Sequence, residues 1–167
     1  MKLYMLLPLT LTLLLAGCAG ASPAENVLTE PPALTVRCGE TSAEALRGAA
    51  SWSYDNGDGT QTAFEADSLH PLDEAARDLT PCLALPDVSG PLEATLEWDP
   101  APDTVTVRCW SDVLWGDTSA SAEEIAVKDL TIALRESGYV YEVVAGWSSE
   151  ETWGGTASYS FYAGPAA

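Results

Sequence analysis

The sequence predicts a single all-β domain, an immunoglobulin-like or fibronectin-like β-sandwich with a few short helical turns. Three observations carry this. Short segments alternate apolar and polar residues with period two, as half-buried strands do. An Asp55-Asn56-Gly57-Asp58-Gly59-Thr60 stretch holds both Asn-Gly and Asp-Gly, the strongest short hairpin signal. Pro and Gly recur between the apolar stretches, which keeps each element short.

The strands follow in order. Leu34, Val36 and Cys38 mark the first, Trp52 and Tyr54 a second, and Gln61 to Ala66 a third joined to it by the Asn-Gly/Asp-Gly turn. Leu92, Ala94, Leu96 and Trp98 alternate with acidic residues and Thr95, and Val105, Val107 and Cys109 alternate with Thr and Arg. The Pro100-Ala101-Pro102-Asp103 turn between these two runs predicts a hairpin. Tyr139, Tyr141, Val143, Ala145 and Trp147 share one face of a strand, and Val140 and Val144 partly fill the other, so this strand is central. Ala157, Tyr159 and Phe161 form the closing strand, paired to it.

Short helices are predicted at the connections. Thr41 with Glu44, and Ser121 with Glu124, have capping-box spacing, and Leu72, Ala75, Ala76 and Leu79 have helical spacing. Residues 128–135 fit either a helix or a strand, and the alternation of Leu130, Ile132 and Leu134 favours the strand. Leu134, Gly138 and Tyr139-Val-Tyr141-Glu-Val143 are similar to the E–F corner of immunoglobulin-like domains, where a tyrosine hydroxyl bonds to upstream backbone.

The N-terminus reads as an export signal. Leu3 to Leu15 is apolar, interrupted by Pro8, Thr10 and Thr12, and too short to span a core of about 30 Å as a stable helix. It ends in Leu15-Ala16-Gly17-Cys18, which resembles a bacterial lipobox. Residues 1–17 are then a lipoprotein signal peptide, cut between Gly17 and Cys18. The Cys18 thiol takes a diacylglycerol thioether, and several acyl chains, palmitate among them, give lasting attachment. Residues 18–32, with small residues and Pro31-Pro32, read as a flexible tether, and residues 33–164 as the domain. The expected place is the extracytoplasmic face of the cell membrane, or the outer membrane in a Gram-negative source.

Loss of Lys2 alone leaves six Lys and Arg against 25 acids, a formal charge of −19 on the mature chain. Such a surface opposes nucleic acid, which needs cations on its phosphates. It also repels anionic head groups, so the lipid alone must anchor the chain. Basic partners are favoured.

Ser51-Trp-Ser-Tyr-Asp-Asn-Gly-Asp-Gly-Thr60, Ala66-Asp-Ser-Leu-His-Pro-Leu72 and the closing Tyr-x-Tyr and Tyr-x-Phe strands resemble a group of uncharacterised lipoproteins from gut-dwelling Gram-positive bacteria. The resemblance covers residues 33–163. It implies the location and a β-rich domain, and carries over no activity and no site residue.

Catalytic motifs are sparse. The one histidine, His70, precedes Pro71, and no nucleophile elbow, zinc-protease helix, P-loop or dinucleotide fingerprint occurs. No cofactor is implied beyond the lipid. Asn56, Asp58 and Glu65 match three positions of a calcium loop, but Tyr54 stands where the first carboxylate belongs and the flanks are strands, so a plain hairpin turn is the simpler reading. Cys38, Cys82 and Cys109 allow one disulfide; Cys38–Cys82 is favoured, with three free thiols as the rival. Trp115 and Trp153 fall in polar loops beside glycine, and Trp110 points outward, so the three are the candidate platform for a sugar or peptide. The same residues could instead cap the ends of the core. The favoured function is a non-catalytic envelope module that binds a protein, peptide or glycan. The alternative is a carboxylate-dependent hydrolase of envelope polymers.

Overall fold

The computed structural model describes residues 27–85, 91–148 and 152–165. Two sheets pack face to face as an all-β sandwich. One contains β1 (Thr35–Cys38), β2 (Thr41–Glu44), β6 (Leu92–Glu97), β9 (Val127–Lys128) and β10 (Thr131–Leu134), in the order β2-β1-β6-β10-β9. The other contains β3 (Leu46–Asp55), β4 (Gln61–Ala66), β7 (Thr104–Ser111), β8 (Glu123–Ile125), β11 (Tyr139–Trp147) and β12 (Trp153–Pro165), in the order β4-β3-β12-β11-β7-β8. β5 (Cys82–Leu85) runs parallel to the last residues of β12, beyond the point where β3 leaves off. Among the described residues no helix is long and apolar enough to cross a membrane.

The core lies between the sheets. Val36, Cys38, Ala94, Leu96, Ile132 and Leu134 meet Trp52, Val107, Cys109, Tyr141, Val143, Tyr159 and Phe161. Each fully buried large side chain contributes about 1.5–3 kcal/mol. Tyr141 and Phe161 are direct cross-strand partners, stacked at 4.8 Å. As predicted, β11 is central, and its odd-numbered residues face the core. The corner forms as well: Tyr141 Oη accepts the Arg135 amide at 2.6 Å.

Several expectations fail. The runs ending at Trp98 and beginning at Thr104 do not pair. β6 lies between β1 and β10, while β7 joins β11 and β8 in the opposite sheet. The Pro100–Asp103 segment crosses between sheets and is tied to the end of β11 by Trp147 Nε1 donating to Pro100 O and by Asp103 N donating to Gly146 O. Period-two alternation specifies which face is buried and is silent on which strand is the neighbour.

Thr41 and Glu44 belong to β2, and Ser121 and Glu124 flank or enter β8, so neither pair caps a helix. The Thr41 hydroxyl donates instead to Cys38 O across the β1–β2 turn. The helix predicted near 72–79 is one turn, α1 (Glu74–Arg77), with the Asp73 carboxylate accepting from the Ala75 amide. Within residues 128–135, Lys128 and Thr131–Leu134 are strand, Asp129 and Leu130 have φ of 49° and 57° and make the two-residue turn between β9 and β10, and Arg135 lies past the end of β10.

The tether expectation ends early. Pro31 and Pro32 are buried, and Leu28 packs on the core. Trp52 Nε1 donates to Leu28 O, Arg47 donates to Pro31 O, and Tyr159 Oη donates to Pro32 O. The backbone of 28–32 therefore supplies acceptors that three side chains of the seven-stranded sheet need.

Candidate functional site

β11 and β12 place their even-numbered residues on the outer face of the seven-stranded sheet. Register sets them in rows: Trp110, Val140 and Tyr162; then Arg108, Glu142 and Ser160; then Thr106, Val144 and Ser158; then Thr104, Gly146 and Thr156. The first row is apolar and covered. Leu72, Leu114, Trp115 and Ala120 pack over it as a second, smaller core. In the second row Glu142 and Ser160 are buried, and the last two rows, mostly small residues, are the more open.

Between those rows and the chain from Glu65 to Pro71 runs a groove of about 540 Å³. Its floor is Ala49, Ser51, Val144, Thr156 and Ser158; its wall includes Glu65, Asp67, Leu69 and His70. A β-bulge shapes the floor, since two residues of β3, Gly48 and Ala49, stand opposite Ser158 of β12. Gly48 lets the Ser158 hydroxyl sit close to β3, because a Cβ there would lie 2.6 Å from Ser158 Oγ and would turn that side chain away. The groove continues into a pocket of about 210 Å³ under α1, and Ser68, Leu69, Pro71, Glu142 and Ser158 line both.

Glu142 sits at that junction and is only 8 % exposed. Its carboxylate accepts from Arg108 Nε, and the same guanidinium lies 5.2 Å from the Trp110 ring. His70 is held in place: Nδ1 accepts the Leu72 amide at 3.1 Å, and the ring meets Trp110 edge-on at 5.3 Å. The neutral ring then carries its proton on Nε2 and has no free lone pair with which to deprotonate a serine.

The tryptophans predicted as one platform are not brought together. Trp110 is on the outer face as read, but it is 3 % exposed, with Nε1 donating to Ala120 O. Trp115 joins the same outer cluster, 5.4 Å from Tyr162 and under Arg77. Trp153 packs on the inner core, stacked on Trp52 at 5.7 Å. Trp115 and Trp153 thus lie on opposite faces of one sheet. Each ring packs on aromatic or apolar neighbours, and Trp153 is the first residue of β12 and not part of a loop.

The calcium candidates also separate. Asn56 bonds Thr60 and Thr62, and Asp58 accepts from both the amide and the hydroxyl of Thr60, which lowers its pKa. Gly57 and Gly59 take φ of 78° and 84° in this hairpin. Glu65 pairs with Ser51, four residues back from the Asp55–Gln61 end, about 13 Å away along the strand. The Cys38–Cys82 disulfide does not form; Cys38, Cys82 and Cys109 are free thiols. Cys38 faces the core, whereas alternation in β5 sends Leu83 and Leu85 inward and Cys82 out. Cys18 and Gly17 lie outside the described residues.

Of the groove residues, the sequence singled out only Glu65 and His70, and for other roles. Glu142 carried a signal in retrospect, being an acid between Val140 and Val144 on the outer face of the central strand. Leu69 and Leu79, exposed at 49 % and 60 %, carried none. No family model matches the chain, and no curated protein or solved structure matches it either.

Proposed function

We propose that this chain is a lipid-anchored, extracytoplasmic binding module that holds an extended polypeptide segment, neutral or basic in character, in the outer-face groove. The observation that carries the reading is the groove itself: an open trough floored by small side chains beside β4, whose outer edge is unpaired among the described residues. An extended partner can lie along such a trough and use backbone groups at a strand edge. The groove lacks the indole and phenol rings on which sugars stack, which favours a peptide over a glycan. The formal charge of −18, together with Glu65 and Asp67 on the wall, favours a basic partner over an acidic one. Leu15-Ala16-Gly17-Cys18 supports the anchor.

The test uses the full chain in detergent, titrated with short extended peptides of basic, neutral and acidic character and with soluble glycan fragments, followed by NMR. Peptide-induced shifts at Ser51, Val144, Thr156 and Ser158 are expected. Binding of the glycans alone, or shifts confined to other surfaces, would overturn the reading. Separately, Cys18→Ser is expected to release the chain from the membrane fraction.

A further inference from the structure

Building on the groove reading, we infer that the pocket beneath α1 is a specificity pocket for one lysine side chain of the bound segment. Its volume, about 210 Å³, is below the range of about 300–1,000 Å³ typical of small-molecule sites and suits a single long side chain. Its mouth is apolar. Leu69 and Leu79 are two of the three exposed large hydrophobics among the described residues, and both line it, with Pro71 and Ala76 beside them. Its floor is polar and buried. Glu142 and Ser160 are direct cross-strand partners, 8 % and 9 % exposed.

This is the complement of lysine, which has an aliphatic stem and an ammonium head with three donors. The stem lies on the leucines while the head reaches the floor. Glu142 already accepts from Arg108 Nε, but a carboxylate has about four acceptor sites, so capacity remains. Ser160 adds a hydroxyl oxygen. Arg47 also lines the pocket, yet its guanidinium is committed to Glu30 and to the Pro31 carbonyl. A carboxylate ligand is disfavoured by Glu142, and a purely apolar side chain would strip water from Glu142 and Ser160 without replacing it.

The full chain in detergent is titrated with a short extended peptide bearing one central Lys and with the same peptide bearing norleucine, which keeps the stem and removes the ammonium. The Lys peptide is expected to bind about tenfold more tightly, the scale of one buried charge-assisted contact. Glu142→Gln should erase that ratio. Because this change also releases Arg108, Leu79→Arg provides a second variant: it alters an exposed position, should leave the melting temperature unchanged, and sets a cation at the mouth that abolishes the Lys preference. Equal affinity for the two peptides, or a preference that survives both variants, overturns the lysine pocket while leaving the groove standing. Failure of both peptides to bind overturns the groove reading and this inference with it.

Discussion

The hydroxyl of Tyr141 accepts the backbone amide of Arg135, six residues upstream, at 2.6 Å, and so pins the turn between β10 and β11 to the centre of the core. The two strands belong to different sheets, so this bond spans the sandwich edge. Tyr141→Phe keeps the ring stacked on Phe161 and leaves the amide without its partner. The expected loss is about 1–3 kcal/mol, read from urea unfolding at constant m-value. A loss below about 0.5 kcal/mol would mean the corner contributes only packing.

Trp153 and Trp115 are structural rings on opposite faces of the seven-stranded sheet. Trp153→Ala removes the partner stacked on Trp52, and Trp115→Ala removes a ring from the outer cluster against Tyr162. Both rings are half-buried, so each substitution should destabilise by roughly 2–4 kcal/mol, somewhat under the cost for a fully buried ring. Neither should alter binding in the groove. A variant that keeps its melting temperature and loses ligand would restore a surface role for that ring.

The three thiols differ in access. Cys82 is exposed, while burial raises the pKa of Cys38 and Cys109 and so removes thiolate. Alkylation at neutral pH followed by peptide mapping should mark Cys82 first, with Cys38 and Cys109 reacting only as the domain unfolds. Equal labelling of Cys38 and Cys82 in the folded chain would contradict the placement of Cys38 in the core.

Tyr159 donates its hydroxyl proton to the Pro32 carbonyl, and its pKa is pushed up to about 12, chiefly by burial. An unfolded tyrosine ionises near 10. The folded state therefore holds this proton over a window in which the unfolded state has released it. The stabilisation is fully present below pH 10 and is lost as pH rises toward 12, on the order of 2–3 kcal/mol from this group. Tyr159→Phe should flatten that alkaline fall, at the cost of the Pro32 bond. Stability measured between pH 9 and 12 in both proteins checks it, and identical slopes would refute the linkage.

Much of the fold was legible because burial on one face leaves a periodic trace. Val36 and Cys38, Leu96, Tyr141 and Val143, and Tyr159 and Phe161 were all assigned inward from alternation, and the structure puts them in one core. The Asn-Gly/Asp-Gly turn was equally readable, because only a few residue types tolerate its backbone. Pairing was less legible. The same alternation in 92–98 and 104–110 fits a hairpin or two strands in facing sheets, and the second occurs because β1 and β10 flank β6 while β11 takes β7.

The sequence by itself determined the sandwich class, the inward faces, the central place of β11, the tyrosine corner and the acidic charge, each a matter of local pattern or composition. Only the tertiary structure decided what Trp110, Trp115 and Trp153 touch, that 28–32 is docked, and that Glu142, Ser160, Leu69 and Leu79 surround one pocket. These residues lie far apart in sequence and meet through strand register and the path of the chain over the outer face. Their surroundings are set by neighbours that no local pattern names.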